Sequence, residues 1–209
     1  MKYIIKTKSL LTLSFLVCSI LLMSCGGNKK NFDSEKGIDI TESDNIQHLD
    51  SMIMEFVKPD MEVIELNFEA SDNDNLFSIG KGKAILFYVD PANNKKRRAL
   101  VIDLKTGTAS EDTTYNSTES KKKYKGHKLT RINCCSMIAN NVNEAIDILD
   151  LENISVDGIG TYTIDMHNKP DKVKHYFTLR KRTGEVERRT YYDEYRFEAD
   201  GKGKVKKLK

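Results

Sequence analysis

Histidine and carboxylate side chains near the end of the chain are of the types that bind a metal ion. His167 and His175 flank a turn predicted at 168–171, so adjacent strands would bring them together, with Asp165 beside them. Two imidazoles and a carboxylate can hold zinc and leave one position for a reactive water. No His-x-x-x-His or His-Glu-x-x-His spacing supports such a site. A metal-assisted hydrolase using these residues is therefore an alternative function, and no metal or cofactor is predicted.

Two adjacent thiols, Cys134 and Cys135, are the second candidates for chemistry. Cys135 falls on the apolar stripe of a predicted helix, where cysteine acts as a small hydrophobic residue. A vicinal disulfide fits helical geometry poorly. The base nearest to the pair in sequence is His127. The two thiols are predicted to be structural rather than redox-active or catalytic.

Arginines alternate with aromatic residues in the carboxy-terminal strands, and both types favour binding surfaces. Because alternate residues of a strand share a face, Arg180, Arg182 and Arg188 are expected to line one exposed surface. The residues predicted to contact a partner are Arg180, Arg182, Arg188, Arg189, Tyr191, Tyr192 and Arg196. An envelope protein or an anionic glycan or lipid is the predicted partner. A cross-strand ladder of Tyr, Arg and Glu on a solvated face is the alternative interpretation.

The composition is that of a soluble globular protein without a known catalytic motif. Of 209 residues, 39% are hydrophobic and 31% are charged, which favours a folded chain over a disordered or multi-span membrane protein. A nucleophile elbow, a Walker loop and a complete calcium loop are missing from the sequence. The chain is therefore not predicted to be an enzyme, although a hydrolase or a carrier of an apolar ligand stays open.

The amino-terminal segment has the organisation of a secretory signal over residues 1–24. Three lysines precede an apolar run at 10–23, which is shorter than the ~20 residues that span a bilayer. The run ends in Leu22-Met23-Ser24-Cys25. This end resembles the lipobox of bacterial lipoproteins, of the kind found in Bacteroidota. The resemblance implies cleavage before Cys25 and acylation of its thiol by palmitate-like chains, which would anchor the protein to a membrane.

The residues after Cys25 predict the destination of the anchor. Gly26, rather than aspartate, follows the cysteine, which in the enterobacterial pattern goes with sorting to an outer membrane. No acidic cluster follows at once, so attachment facing the periplasm is predicted instead of surface display. A nucleic-acid partner is not expected at this location. Residues 25–43 are polar and are predicted to form a flexible tether.

The elements that would position these side chains follow from hydrophobic periodicity. A helix is predicted from Ser43 or Asp44 through Phe56, ending before Pro59, and strands are predicted near 64–68, 84–89 and 99–104. The polar stretch 105–128 is predicted to be a linker or mobile loop. A second helix with apolar residues from Cys135 to Leu149 precedes strands that begin near Ile159. In these strands His175, Phe177 and Leu179 form an inward row, and turns are predicted at 183–184 and 200–203.

The predicted fold class is α+β, with two helices packed on antiparallel sheet. A helix followed by strands occurs twice, at 44–104 and 132–208, so a duplicated unit is a further hypothesis. The strand ends Thr106-Gly107, Thr183-Gly184 and Asp200-Gly201 resemble the hairpin ends of PepSY-like periplasmic modules. The predicted units are 44–119 and 120–209, which would alternatively form one domain.

Charge is distributed unevenly along the chain. The whole sequence carries +3, but residues 25–209 are formally neutral once the three signal lysines are removed. Residues 25–120 carry −7 and residues 121–209 carry +7. Either the two halves pair with each other, or the basic half faces a partner.

Overall fold

The computed structural model describes residues 38–69, 77–79, 82–115, 119–128, 135–167, 172–187 and 189–209. All of them belong to one compact unit, Ser34–Lys209. The signal segment, Cys25, residues 25–37 of the predicted tether and the predicted turn at 168–171 lie outside the described residues. None of the helices in the described part is long and apolar enough to cross a membrane.

The described residues form two α-helices and nine strands in one antiparallel sheet, so the α+β fold class is confirmed. The helices are α1 (Ser43–Met54) and α2 (Ile138–Leu151). The strands are β1 (Glu62–Glu69), β2 (Lys83–Val89), β3 (Arg97–Asp103), β4 (Thr108–Glu111), β5 (His127–Lys128), β6 (Gly158–Asp165), β7 (Lys174–Val186), β8 (Arg189–Asp200) and β9 (Val205–Lys207).

Two four-stranded meanders meet in the middle of the sheet. The strand order is β4-β3-β2-β1-β6-β7-β8-β9, and β5 pairs with the beginning of β1. The meanders join through the antiparallel β1–β6 ladder, in which Leu66 lies opposite Ile164. One continuous sheet therefore runs through both halves of the chain.

One face of the sheet, called the helix face, packs against α1 and α2 and holds most of the core. Aromatic side chains cross it in one row, from Phe68 through Tyr162 and Phe177 to Phe197, and each is at most 2% exposed. Both helices bury the apolar stripe that the sequence predicts; α1 buries Ile46, Leu49 and Ile53, and α2 buries Ile138, Ala139, Val142, Ala145 and Leu149. The 3.6-residue period places these side chains on one side of each helix.

The opposite face, called the second face, carries an apolar cluster over its first half. There Ile85, Phe87 and Val89 of β2 form an apolar cluster against which Tyr124 packs. The Arg97 guanidinium lies 4.3 Å from the Phe87 ring centroid, and the Tyr115 ring meets the same ring edge-on. The prediction that β2 is buried on both faces is confirmed.

Two sequence-based boundaries need correction. The stretch 105–128 is not simply a linker: it contains β4 and β5, and its backbone is tied down where Tyr124 N–H donates to the carbonyl of Asn94 at 2.7 Å. Residues 183–184 do not turn the chain, because an extra residue between Arg182 and Gly184 forms a β-bulge and β7 continues to Val186. The first residue past β7, Glu187, has φ 51°, so the chain reverses there.

Candidate functional site

The structure brings only two of the three predicted metal ligands together. His167 and Asp165 form a pair, with Nδ1 and Oδ1 2.8 Å apart. His175 lies opposite Ile164 on the helix face, whereas Asp165, the next residue of β6, points to the second face. His175 is 1% exposed, so it does not reach the half-exposed His167. Among the described residues, no three His, Cys, Asp or Glu side chains are grouped as metal ligands.

His175 instead belongs to a buried polar network between α2 and the sheet. Its Nδ1 lies 3.0 Å from the Tyr162 hydroxyl, to which the Asn141 side-chain amide donates at 2.9 Å. Burial lowers the pKa of His175 to about 4, so the ring is neutral at neutral pH. A neutral Nδ1 can accept the tyrosine proton, which fixes both rings. The network orders the core and is closed to solvent.

Stability should fall between pH 6.5 and 4 because His175 is buried in its neutral form. Its folded pKa of about 4 lies below the ordinary value, so the unfolded chain binds the proton first and stability is complete only above about pH 6.5. We expect a loss of roughly 2 kcal/mol between pH 7 and pH 5, measured by urea unfolding. His175→Asn, which keeps an acceptor but does not titrate, should flatten this profile. An unchanged profile in the variant would contradict the assignment.

Of the two adjacent cysteines, Cys135 lies in the described part of the chain. Cys135 is fully buried in a short 3-10 turn, Cys135–Met137, that leads into α2. His127 lies on β5, opposite Val63 of β1. Cys134 falls outside the described residues. The burial of Cys135 agrees with the structural role predicted from its place on the apolar stripe.

Four of the predicted partner-binding residues share one surface, here called the open face: the second face over β6, β7 and β8. Its members include Arg180, Arg182, Tyr192 and Arg196. Each of them alternates along its strand with residues that point to the other side, and Arg182 lies directly opposite Tyr192. Tyr176 and Thr163 extend the surface toward the middle of the sheet. Further members of the open face are Thr161, Asp165, Lys174, Thr178, Glu194, Glu198 and Asp200, and Lys206 of β9 lies opposite Glu198 beside it.

Charges of opposite sign alternate across the open face. The Arg180 Nε lies 3.0 Å from a Glu194 carboxylate oxygen, and its guanidinium is 5.5 Å from the Tyr192 ring centroid. The Lys174 ammonium lies 2.8 Å from Glu198, and this hydrogen bond lowers the pKa of the glutamate and raises that of the lysine. The open face is thus a charged, aromatic ladder rather than a uniformly basic surface.

Two further predicted residues, Arg189 and Tyr191, lie on a projecting hairpin, here called the arm, which comprises residues 181–187 and 189–193. Tyr191 points to the side opposite Tyr192 and is 51% exposed. Arg189 lies near the tip, opposite Val186. Arg188 falls outside the described residues. The predicted set is therefore divided between the open face and the other side of the arm.

A groove of about 450 Å³ lies on the helix face between the chain that follows α1 and strands β2 to β4. Its lining residues are Glu55, Phe56, Val57, Lys58, Pro59, Met61, Tyr88, Leu100, Ala109 and Glu111. The Tyr88 hydroxyl donates to Glu111 at 2.8 Å, and burial raises the pKa of Tyr88 to about 12. The groove has room for a small apolar group with one polar end.

Sequence reasoning missed two features of these sites. Asn141 lies three residues after Ile138 and four before Ala145, so a polar side chain on the apolar stripe was the available signal for the buried network. The groove had no such signal, because Tyr88 and Glu111 meet across strands 23 residues apart in sequence.

No protein-family model, curated protein or solved structure matches the chain.

Proposed function

We propose that the chain is a membrane-anchored, non-enzymatic envelope lipoprotein that binds a partner through the open face. The observation that supports this most directly is the unequal covering of one sheet surface. Tyr124 packs against the apolar cluster of the second face over β2, whereas the open-face side chains of β7 and β8 are half-buried or exposed. A solvent-accessible surface that presents arginine and tyrosine side chains is suited to binding a partner.

The charge distribution of the two halves supports an external partner as well. The described ion pairs all lie within one half: Arg98 with Asp90 and Glu111 in the first, and Arg180 with Glu194 in the second. At the junction of the meanders, Glu65 lies opposite Asp165, which is a pairing of like charges. None of these described ion pairs sets the basic excess of the second half against the first.

The alternation of charges favours a protein as the partner over a polyanion. Glu194 and Glu198 would repel a glycan or lipid surface of uniform negative charge, whereas a folded protein can match both signs. Arg196 is exposed and makes no ion pair with another described residue, so its charge is available for contact. We infer that an envelope protein binds here.

Removing side chains from the open face should weaken capture of that partner. Arg196→Ala and Tyr192→Ala each delete an interface side chain of a type that often contributes ~1–3 kcal/mol, so together they should reduce binding by at least about tenfold. The matched controls are Arg98→Ala and Tyr115→Ala, which delete the same side-chain types elsewhere. The measurement is capture of cross-linked envelope proteins by the full chain, quantified by mass spectrometry. Equal recovery by both pairs of variants would contradict the proposal.

We further propose that the two meanders are copies of one unit, each a helix followed by four strands. In its support, α1 precedes β1 to β4 and α2 precedes β6 to β9. The strand order is also symmetric about the β1–β6 ladder, since each meander places its first strand at the centre and its fourth at an edge.

A further inference from the structure

The arm leaves one backbone edge of β8 without a neighbouring strand in the described structure. The β6–β7 ladder ends where Gly158 meets Arg180, and the β8–β9 ladder ends where Phe197 meets Lys207. Beyond these points β7 and β8 pair only with each other, up to Val186 opposite Arg189. An exposed strand edge of this kind is a template for another strand.

The direction of the free backbone groups follows from the end of β9. The Leu208 N–H donates to the Arg196 carbonyl at 2.7 Å, so the peptide groups of Arg196 face outward from the sheet. Because these groups alternate along a strand, those of Thr190, Tyr192 and Glu194 face outward too. The side chain of Tyr191, between two of them, is 51% exposed.

We propose that this edge of β8 pairs antiparallel with the same edge of a second copy of the chain, about a twofold axis at Tyr191. The axis would place Arg189 of each copy opposite Asp193 of the other, so two pairs of opposite charge form at once. Thr190 of one copy would exchange backbone hydrogen bonds with Tyr192 of the other, as their outward groups require. The inference goes beyond the proposed function, since the edge and not the open face is used.

Other registers about a twofold axis lack this complementarity. An axis at Tyr192 would put Arg189 opposite Tyr195 and Tyr191 opposite Asp193. An axis at Thr190 would put Arg189 opposite Tyr191. In both of these registers Arg189 lies opposite a tyrosine and not opposite a carboxylate. Charge pairing therefore favours the register centred on Tyr191. Both Arg189 and Asp193 are exposed, so their side chains are available for the pairing.

A cysteine at the axis tests the register directly. In a non-hydrogen-bonded antiparallel pair the Cα atoms are ~4.5 Å apart, which lies inside the range for a disulfide. The full chain with Tyr191→Cys should therefore form a disulfide-linked dimer under mild oxidation, seen on a non-reducing gel. Thr190→Cys is the matched control, because its own copy lies two positions away and should not cross-link. The unsubstituted chain reports any linkage through the native cysteines.

Charge reversal tests the same pairing without a cysteine. Arg189→Asp and Asp193→Arg should each weaken self-association at least tenfold in sedimentation equilibrium, and the two together should restore it. Circular dichroism melts establish that each variant is folded. A chain that is monomeric at every concentration, a dimer indifferent to the reversals, or a Tyr191→Cys chain that links only to a different protein would each overturn the inference.

Discussion

Replacing Cys25 by serine should release the protein from the membrane fraction. The thiol is the only group in the predicted lipobox that accepts a diacylglyceryl chain, and a serine hydroxyl in its place is not acylated. Each buried methylene contributes ~0.8 kcal/mol, so two long acyl chains hold a protein on a bilayer essentially permanently, and their loss removes the whole contribution. The measurement is the distribution of the full chain between membrane and soluble fractions, together with metabolic labelling by palmitate.

Cys18→Ser is the matched control for that substitution. Cys18 lies inside the apolar run of the signal, so its replacement should leave both labelling and membrane retention unchanged. Retention of the Cys25→Ser chain in the membrane at the level of the control would mean that the apolar run is an uncleaved anchor. The proposed attachment through lipid would then be wrong. The proposal that the open face binds a partner would be unaffected, because the capture experiment tests it separately.

The core of the fold could be predicted because burial imposes a period on the sequence. Ile46, Leu49 and Ile53 recur at helical spacing and are buried as expected. The unbroken apolar run of β2 predicted burial on both faces of the sheet, and residues 84–89 are all buried. The prediction that 105–128 is only a linker or loop was wrong because β4 lies within it. This strand has only four residues and none of them is fully buried, so no alternation of apolar and polar residues indicates it.

Turns were less predictable than strands because glycine allows more than one backbone solution. At 183–184 it accommodates a bulge, so β7 runs on and the arm exists. At Gly107, where φ is 63°, the same residue type does form the end of a hairpin. The arm therefore depends on a choice between bulge and turn that the residue type alone does not make.

Alternation along strands also explains why the metal hypothesis was not matched by the geometry. His175 alternates with Phe177 and Leu179 in β7, and all three are buried. The same rule sends Asp165 to the face opposite Ile164. A histidine and a carboxylate that point to opposite faces of paired strands cannot bind one metal ion. The alternation of apolar residues in the sequence could therefore have excluded a site that contains both.

Phe177→Ala should cost the largest share of folding stability of any substitution proposed for the core. The Phe177 ring lies between two others, 5.1 Å from the Tyr162 centroid and 5.4 Å from the Phe197 centroid, in nearly parallel stacks of 13° and 17°. Its 2% exposure means that truncation leaves a cavity instead of a wetted surface. Buried Phe→Ala changes destabilise by ~3–5 kcal/mol, and the position at the centre of the row favours the upper half of that range.

Urea unfolding followed by far-UV circular dichroism measures the effect, and Phe177→Leu separates volume from stacking. Leucine keeps most of the apolar area, so it should cost ~1–2 kcal/mol, mainly from the lost ring contacts. A loss below about 1 kcal/mol for Phe177→Ala would mean that the helices relax onto the sheet and close the cavity. Because the same row lies between α2 and the open face, a large loss in Phe177→Ala would also show that the stability of the open face depends on this row.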